Sequence, residues 1–124
     1  MTESKSQKEM LGLEDYARMA LDEASEALGS DLALLDLRGI SQFADFFVIS
    51  SGETARHLEG MADDVVRALR NNGLRVHHRE GTGSGGWVLL DFNGIVVHLF
   101  TRSAREFYGL EELWARAPEI VRVQ

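Results

Sequence analysis

The chain has 124 residues, 44% apolar and 27% charged, enough for the core of one compact domain and too few for two. It contains no cysteine, which excludes disulfides, thiolate nucleophiles and cysteine-ligated zinc. Thirteen basic against 20 acidic residues give a net charge of −7, which works against broad contact with RNA or DNA phosphates and favours a basic protein partner.

At the N-terminus, MTESKSQKEM lacks the apolar core of a signal peptide, and no apolar run in the chain approaches the length of a bilayer span. Residues 1–10 are therefore expected to be a disordered polar tail, and 11–124 one domain of a cytoplasmic protein with no membrane partner. Leu13, Tyr16, Ala17, Ala20, Leu21, Ala24, Ala27 and Leu28 recur at steps of three and four, the stripe of an amphipathic helix that Gly29 can stop. Asp31 to Leu37 reads as a strand, residues 38–45 as a connection, and Phe46 to Ser51 as a second, buried strand. Thr54 to Asn72 is a second helix with Ala55, Leu58, Ala62, Val65, Val66 and Leu69 on one side, Ser51 or Thr54 as its cap and Gly73 at its end.

Leu74 to Glu80 is read as a third strand, and the strand–helix–strand order predicts that the second and third strands run parallel through a right-handed crossover. The following GTGSGG, residues 81–86, invites a phosphate-cradle reading. A cradle needs a loop that opens a helix, so that backbone amides and the helix dipole converge on the anion. Here the loop leads instead into WVLLDF, which is a strand, and no Lys-Ser or Lys-Thr pair stands nearby. A mobile loop is the simpler reading. Asn93-Gly94 then separates two apolar runs and predicts a hairpin with a type I′ turn. Ser103 to Ala117 is read as the last helix, stopped by Pro118. The sum is an α/β (α+β) fold with a mixed five-stranded sheet flanked by helices.

The two-residue turn fixes the hairpin register. Val88, Leu90, Phe92, Ile95, Val97 and Leu99 fall on one face, which must pack on helices. The other face carries Trp87 opposite Phe100, Leu89 opposite His98, and Asp91 opposite Val96. Half aromatic and half polar, it suits a partner interface. It equally suits a surface covered by the last helix, with His98 and Asp91 satisfied internally. The residues alone leave the two readings open.

Arg56 and His57 open the second helix and offer an anion site at its N-terminus; the alternative is a capped helix with two solvated side chains. His77 and His78 are adjacent on a strand, so they point to opposite faces and cannot share a metal. Asp63 has Arg67 at the favoured helical spacing for an ion pair. Two-metal phosphoryl transfer needs clustered carboxylates, and Asp91 has Asn93 two positions on. No catalytic residue, metal or cofactor is expected.

Asp45-Phe46-Phe47-Val48-Ile49, Arg56-His57, Trp87 with Asp91, Val97-His98, and the run from Arg105 through Tyr108-Gly109-Leu110-Glu111-Glu112-Leu113 to Trp114 together resemble the ribosomal silencing factor family, RsfS, also called Iojap. The resemblance runs from about Leu13 to Trp114. It implies a fold related to the nucleotidyltransferases but without their catalytic carboxylates, and a role that is not enzymatic. It implies binding to the large ribosomal subunit through its fourteenth protein, on the surface where the small subunit joins, so that translation falls when nutrients run short. It also implies a homodimer in the free state, and the acidic balance adds the expectation of little direct nucleic-acid binding. The positions expected to meet the partner are Trp87, Leu89, Asp91, His98 and Phe100 on the sheet, Arg56 and His57 at the helix start, and Arg105, Tyr108 and Trp114 in the closing run.

Overall fold

A computed structural model describes residues 11–124; the tail read at residues 1–10 lies outside the described residues. In chain order the elements are α1 (Leu13–Glu26), β1 (Ser30–Asp36), β2 (Ala44–Gly52), α2 (Ala55–Asn71), β3 (His78–Thr82), β4 (Trp87–Asp91), β5 (Gly94–Thr101), α3 (Arg102–Tyr108), α4 (Leu110–Leu113) and β6 (Glu119–Val123). The strands form one sheet in the order β3-β4-β5-β2-β1-β6. Only the central β5–β2 pair is parallel; every other neighbour is antiparallel.

The hairpin follows the register that its turn dictates. Val88 faces Leu99 and Leu90 faces Val97, while Trp87 faces Phe100, Leu89 faces His98 and Asp91 faces Val96. Asn93 and Gly94 both adopt positive φ, 61° and 103°, as a type I′ turn requires. The six apolar side chains of the inner face are buried together with Leu32, Leu34, Phe46 and Val48 beneath α1 and α2. Each such fully buried side chain contributes about 1.5–3 kcal/mol relative to exposure. Thr54 caps α2 by accepting the His57 N–H at 3.0 Å.

Among the described residues, the reverse face of the sheet is covered by the short C-terminal helices and by the β1–β2 connection at Leu37 and Ile40. A second, smaller core forms there from Ala33, Leu35, Leu37, Phe47, Ile49 and Phe100, with Trp87, Ala104, Leu110 and Trp114 packed at its margin.

Four sequence expectations need correction. The sheet has six strands, not five: beyond Pro118, whose carbonyl accepts the Asp36 N–H at 2.9 Å, the chain returns as β6 and pairs with β1. The third strand starts at His78 rather than Leu74, and Leu74 and Val76 pack on the core as coil. It runs in the same direction as β2, but β4 and β5 lie between them, and the parallel neighbour of β2 is β5. Burial explains the order. All five β3 residues are exposed, so the strand belongs at an edge, whereas apolar β5 can sit beside buried β2.

The glycine stretch is not a slack loop. Gly81 and Thr82 belong to β3, Thr82 pairs with Trp87, and residues 83–86 form a tight turn. Finally, the last helix is two helices, because Gly109 takes a left-handed conformation at φ 56° and terminates α3. Among the smaller expectations, Asp63 pairs with Arg79 at 2.9 Å, and Arg67 turns to Asp64 at 3.2 Å.

Candidate partner-binding face

β4 and β5 project Trp87, Leu89, His98 and Phe100 onto the face away from α1 and α2, and α3 delivers Tyr108 to the same place. The Trp87 ring lies 4.8 Å from Phe100 and 4.7 Å from Tyr108, centroid to centroid. Its indole N–H donates inward to Nδ1 of His98 at 3.2 Å. His98 in turn stacks on Phe100 and makes a T-shaped contact with Phe47 at 4.5 Å, and Phe47 makes another with Trp114 at 5.5 Å. An aromatic band thus runs from Trp114 through Phe47 and His98 to Trp87, Tyr108 and Phe107.

Burial divides this band into a floor and a rim. Phe100 and His98 are buried, Trp87 and Leu89 are partly exposed, and Tyr108 and Phe107 are 46% and 81% exposed. Burial pushes the His98 imidazole down to about 3, so the ring is neutral near pH 7. The reading of a covered face holds for its centre, over which α3 packs, while Trp87 and Leu89 stay partly exposed. A shallow apolar groove lies between them, with Tyr108 on one side and Gly81, Thr82 and Gly85 of the β3–β4 hairpin on the other. A second hollow adjoins it, lined by Ser103, Ala104, Phe107 and Gly86.

The remaining expected positions lie elsewhere or have internal partners. Asp91 supports the hairpin turn by accepting the Asn93 N–H at 2.9 Å. His57 is not a solvated or anion-facing side chain: Nδ1 accepts the Glu53 N–H at 3.0 Å, and Nε2 lies 2.7 Å from the Ala27 carbonyl, to which it donates. That pair of bonds ties the end of α1 to the start of α2, while Arg56 is exposed. Arg105 is buried and points away from solvent. It donates to Glu111 at 2.8 Å, to Ser51 Oγ at 2.9 Å and to the Asp31 carbonyl. Arg122 from β6 closes the network onto Asp31 and Glu111 at 2.7 and 2.9 Å. Burial raises the Glu111 carboxyl, but hydrogen bonds and charge from Arg105 and Arg122 outweigh it and hold the group below its usual range. Arg105 therefore fastens the C-terminal elements to the sheet.

Sequence reasoning missed Phe47, which joins His98 to Trp114, and the exposed Phe107 and Leu113. The adjacent aromatics Phe107-Tyr108 were the available signal, since one of such a pair on a short helix faces out. Among the described residues no cluster of three or more His, Asp or Glu side chains could hold a metal, and no helix is long and apolar enough to cross a membrane.

Comparison with known proteins bears on this geometry. The family model described as "Ribosomal silencing factor during starvation" matches residues 11–124. The ribosomal silencing factor RsfS of Bacillus subtilis is 34% identical over 82% of this chain and 86% of its own. The mouse protein named "Mitochondrial assembly of ribosomal large subunit protein 1" is 32% identical over 68% of this chain and 38% of its own. A crystal structure of a Chromobacterium violaceum protein superposes with a TM-score of 0.81 at 26% identity, covering 85% of this chain and 88% of that one. The match thus spans every described element, from α1 to β6, and the chain belongs to the ribosomal silencing factor family.

Proposed function

We propose that the protein binds the large ribosomal subunit through a ribosomal protein on the subunit-joining surface, prevents the small subunit from docking there, and so represses translation when nutrients are limiting. The observation that carries the reading is the half-open Trp87 face on a chain whose whole described length matches the family. Trp and Tyr at the centre of an apolar groove are the anchors that protein interfaces use most. The net charge of −7 gives the chain an electrostatic reason to meet a basic ribosomal protein and to avoid bare RNA. The mouse relative is named for assembly of a ribosomal large subunit, which supports that subunit as the target.

In this reading the protein acts by occupancy in the cytoplasm and turns over no substrate. Free copies associate as homodimers, and the ribosome competes with that self-association. Sedimentation of purified subunits tests the proposal: saturating protein should co-migrate with large subunits and deplete joined ribosomes. Unchanged joining at saturation refutes it. Titration with nucleoside triphosphates and magnesium separates it from an enzymatic or small-anion role, for which binding or turnover would be seen.

A further inference from the structure

We infer that His98 is the positioning residue of the partner-binding face: its Nδ1 captures the indole N–H of Trp87, so that the groove presents only the carbon surface of that ring. The inference rests on the function proposed above for its consequence, but its geometry stands independently. The Trp87 side chain has one polar atom, a donor, and the residue is partly exposed. The N–H nevertheless turns inward, to His98 at 3.2 Å. His98 is well placed to hold it, being 3% exposed and fixed between Phe100 at 6.2 Å and Phe47 at 4.5 Å.

A second observation shows that packing alone does not explain a histidine here. With Nδ1 accepting, the neutral ring carries its proton on Nε2, and among the described residues that buried atom has no hydrogen-bond partner. Buried groups of this kind are costly and few in folded proteins. Phenylalanine would fill the same aromatic site without an orphaned donor, yet it could not accept from Trp87. The imidazole is thus explained by what it does to its neighbour. The chemical consequence concerns the partner: it should meet Trp87 with aliphatic or aromatic groups, since the indole N–H is withdrawn from competition for a carbonyl.

The tautomer can be read directly in the intact protein. Long-range proton–nitrogen spectra of the imidazole should show Nδ1 unprotonated and Nε2 protonated, and a His98 ring protonated on Nδ1 overturns the inference. The chain has two tryptophans, so Trp114→Phe leaves Trp87 as the sole indole. In that background the Trp87 N–H should exchange slowly with solvent, and His98→Phe should speed the exchange by about tenfold or more as the ring is released. His98→Gln, which restores an acceptor, should recover part of the protection. An N–H that exchanges freely with His98 present, or stays protected in His98→Phe, refutes the assignment. These readings involve no ribosome, so they fail or succeed separately from the proposed function. If the wild-type protein binds large subunits, His98→Phe should weaken binding about tenfold; unchanged affinity with a released indole would remove the positioning role.

Discussion

Acid should destabilise this protein through His98, and the size of the effect follows from its burial. The unfolded chain has an ordinary histidine near 6.5, whereas desolvation holds the folded group at about 3. The folded state thus binds its proton less readily than the unfolded state. Stability from this site is complete above pH 6.5 and is lost as pH falls towards 3, at up to roughly 1.4 kcal/mol per pH unit. Between pH 7.5 and pH 5 the loss should be about 2 kcal/mol, since at pH 5 only the unfolded group is protonated. Other groups also titrate over that range, so the comparison must be with His98→Phe, which keeps the carboxylates and the remaining histidines. Urea unfolding of both proteins at several pH values gives the difference directly. The wild type should lose stability relative to the variant on acidification, starting near pH 6.5. Curves that stay parallel down to pH 5 would mean that His98 charges as easily folded as unfolded, and that the aromatic floor is open to water.

Four further substitutions probe the rest of the site. Trp87→Ala should weaken binding to large subunits by roughly 2–4 kcal/mol, the range of interface hot spots, and normal binding by the folded variant would move the interface elsewhere. Arg105→Ala should cost about 1.5–3 kcal/mol of stability because it leaves the buried Ser51 hydroxyl and the partly buried Glu111 carboxylate without their donor, whereas the more exposed Arg122→Ala should cost about 1 kcal/mol. Equal losses in chemical denaturation would show that the two arginines form one uniform network. Gly83→Ala should cost about 1–3 kcal/mol, because a Cβ there would stand 2.1 Å from the Ala55 carbonyl oxygen. An unchanged melting temperature would mean that the hairpin tip does not rest on α2.

The local elements were readable wherever a short-range rule decided them. Asn93-Gly94 fixed the turn, hence the pairing of β4 with β5 and the identity of both faces. Apolar periodicity found α1 and α2 within a few residues. What escaped was set by long-range competition. Strand order depends on which strand can tolerate an edge, and nothing within residues 74–80 announces that β5 takes the place beside β2. β6 is a short polar–apolar segment whose pairing with β1 arises only once Pro118 turns the chain. At the site, Trp87, Leu89, His98 and Phe100 share a face as the register requires, and the closing run adds Tyr108 beside Trp87 through a contact that no local rule announces. Arg105 and His57 were misjudged because their partners, Ser51 and Asp31 for one and Ala27 for the other, are distant in sequence.

The tip of the β3–β4 hairpin makes the groove beside Trp87 preorganised. Its Gly83 N–H donates to the Glu59 carboxylate, and Arg79 bonds Glu59 and Asp63 at 2.8 and 2.9 Å, so a turn containing three glycines is clamped to the first turns of α2. A loose glycine loop would have to be ordered by each incoming partner, with an entropic loss subtracted from affinity. Here that ordering is completed when the chain folds. The groove wall stands in place before any encounter, so a partner docking there, as proposed above, would meet a fixed surface on which aromatic contacts translate into residence time rather than into loop closure.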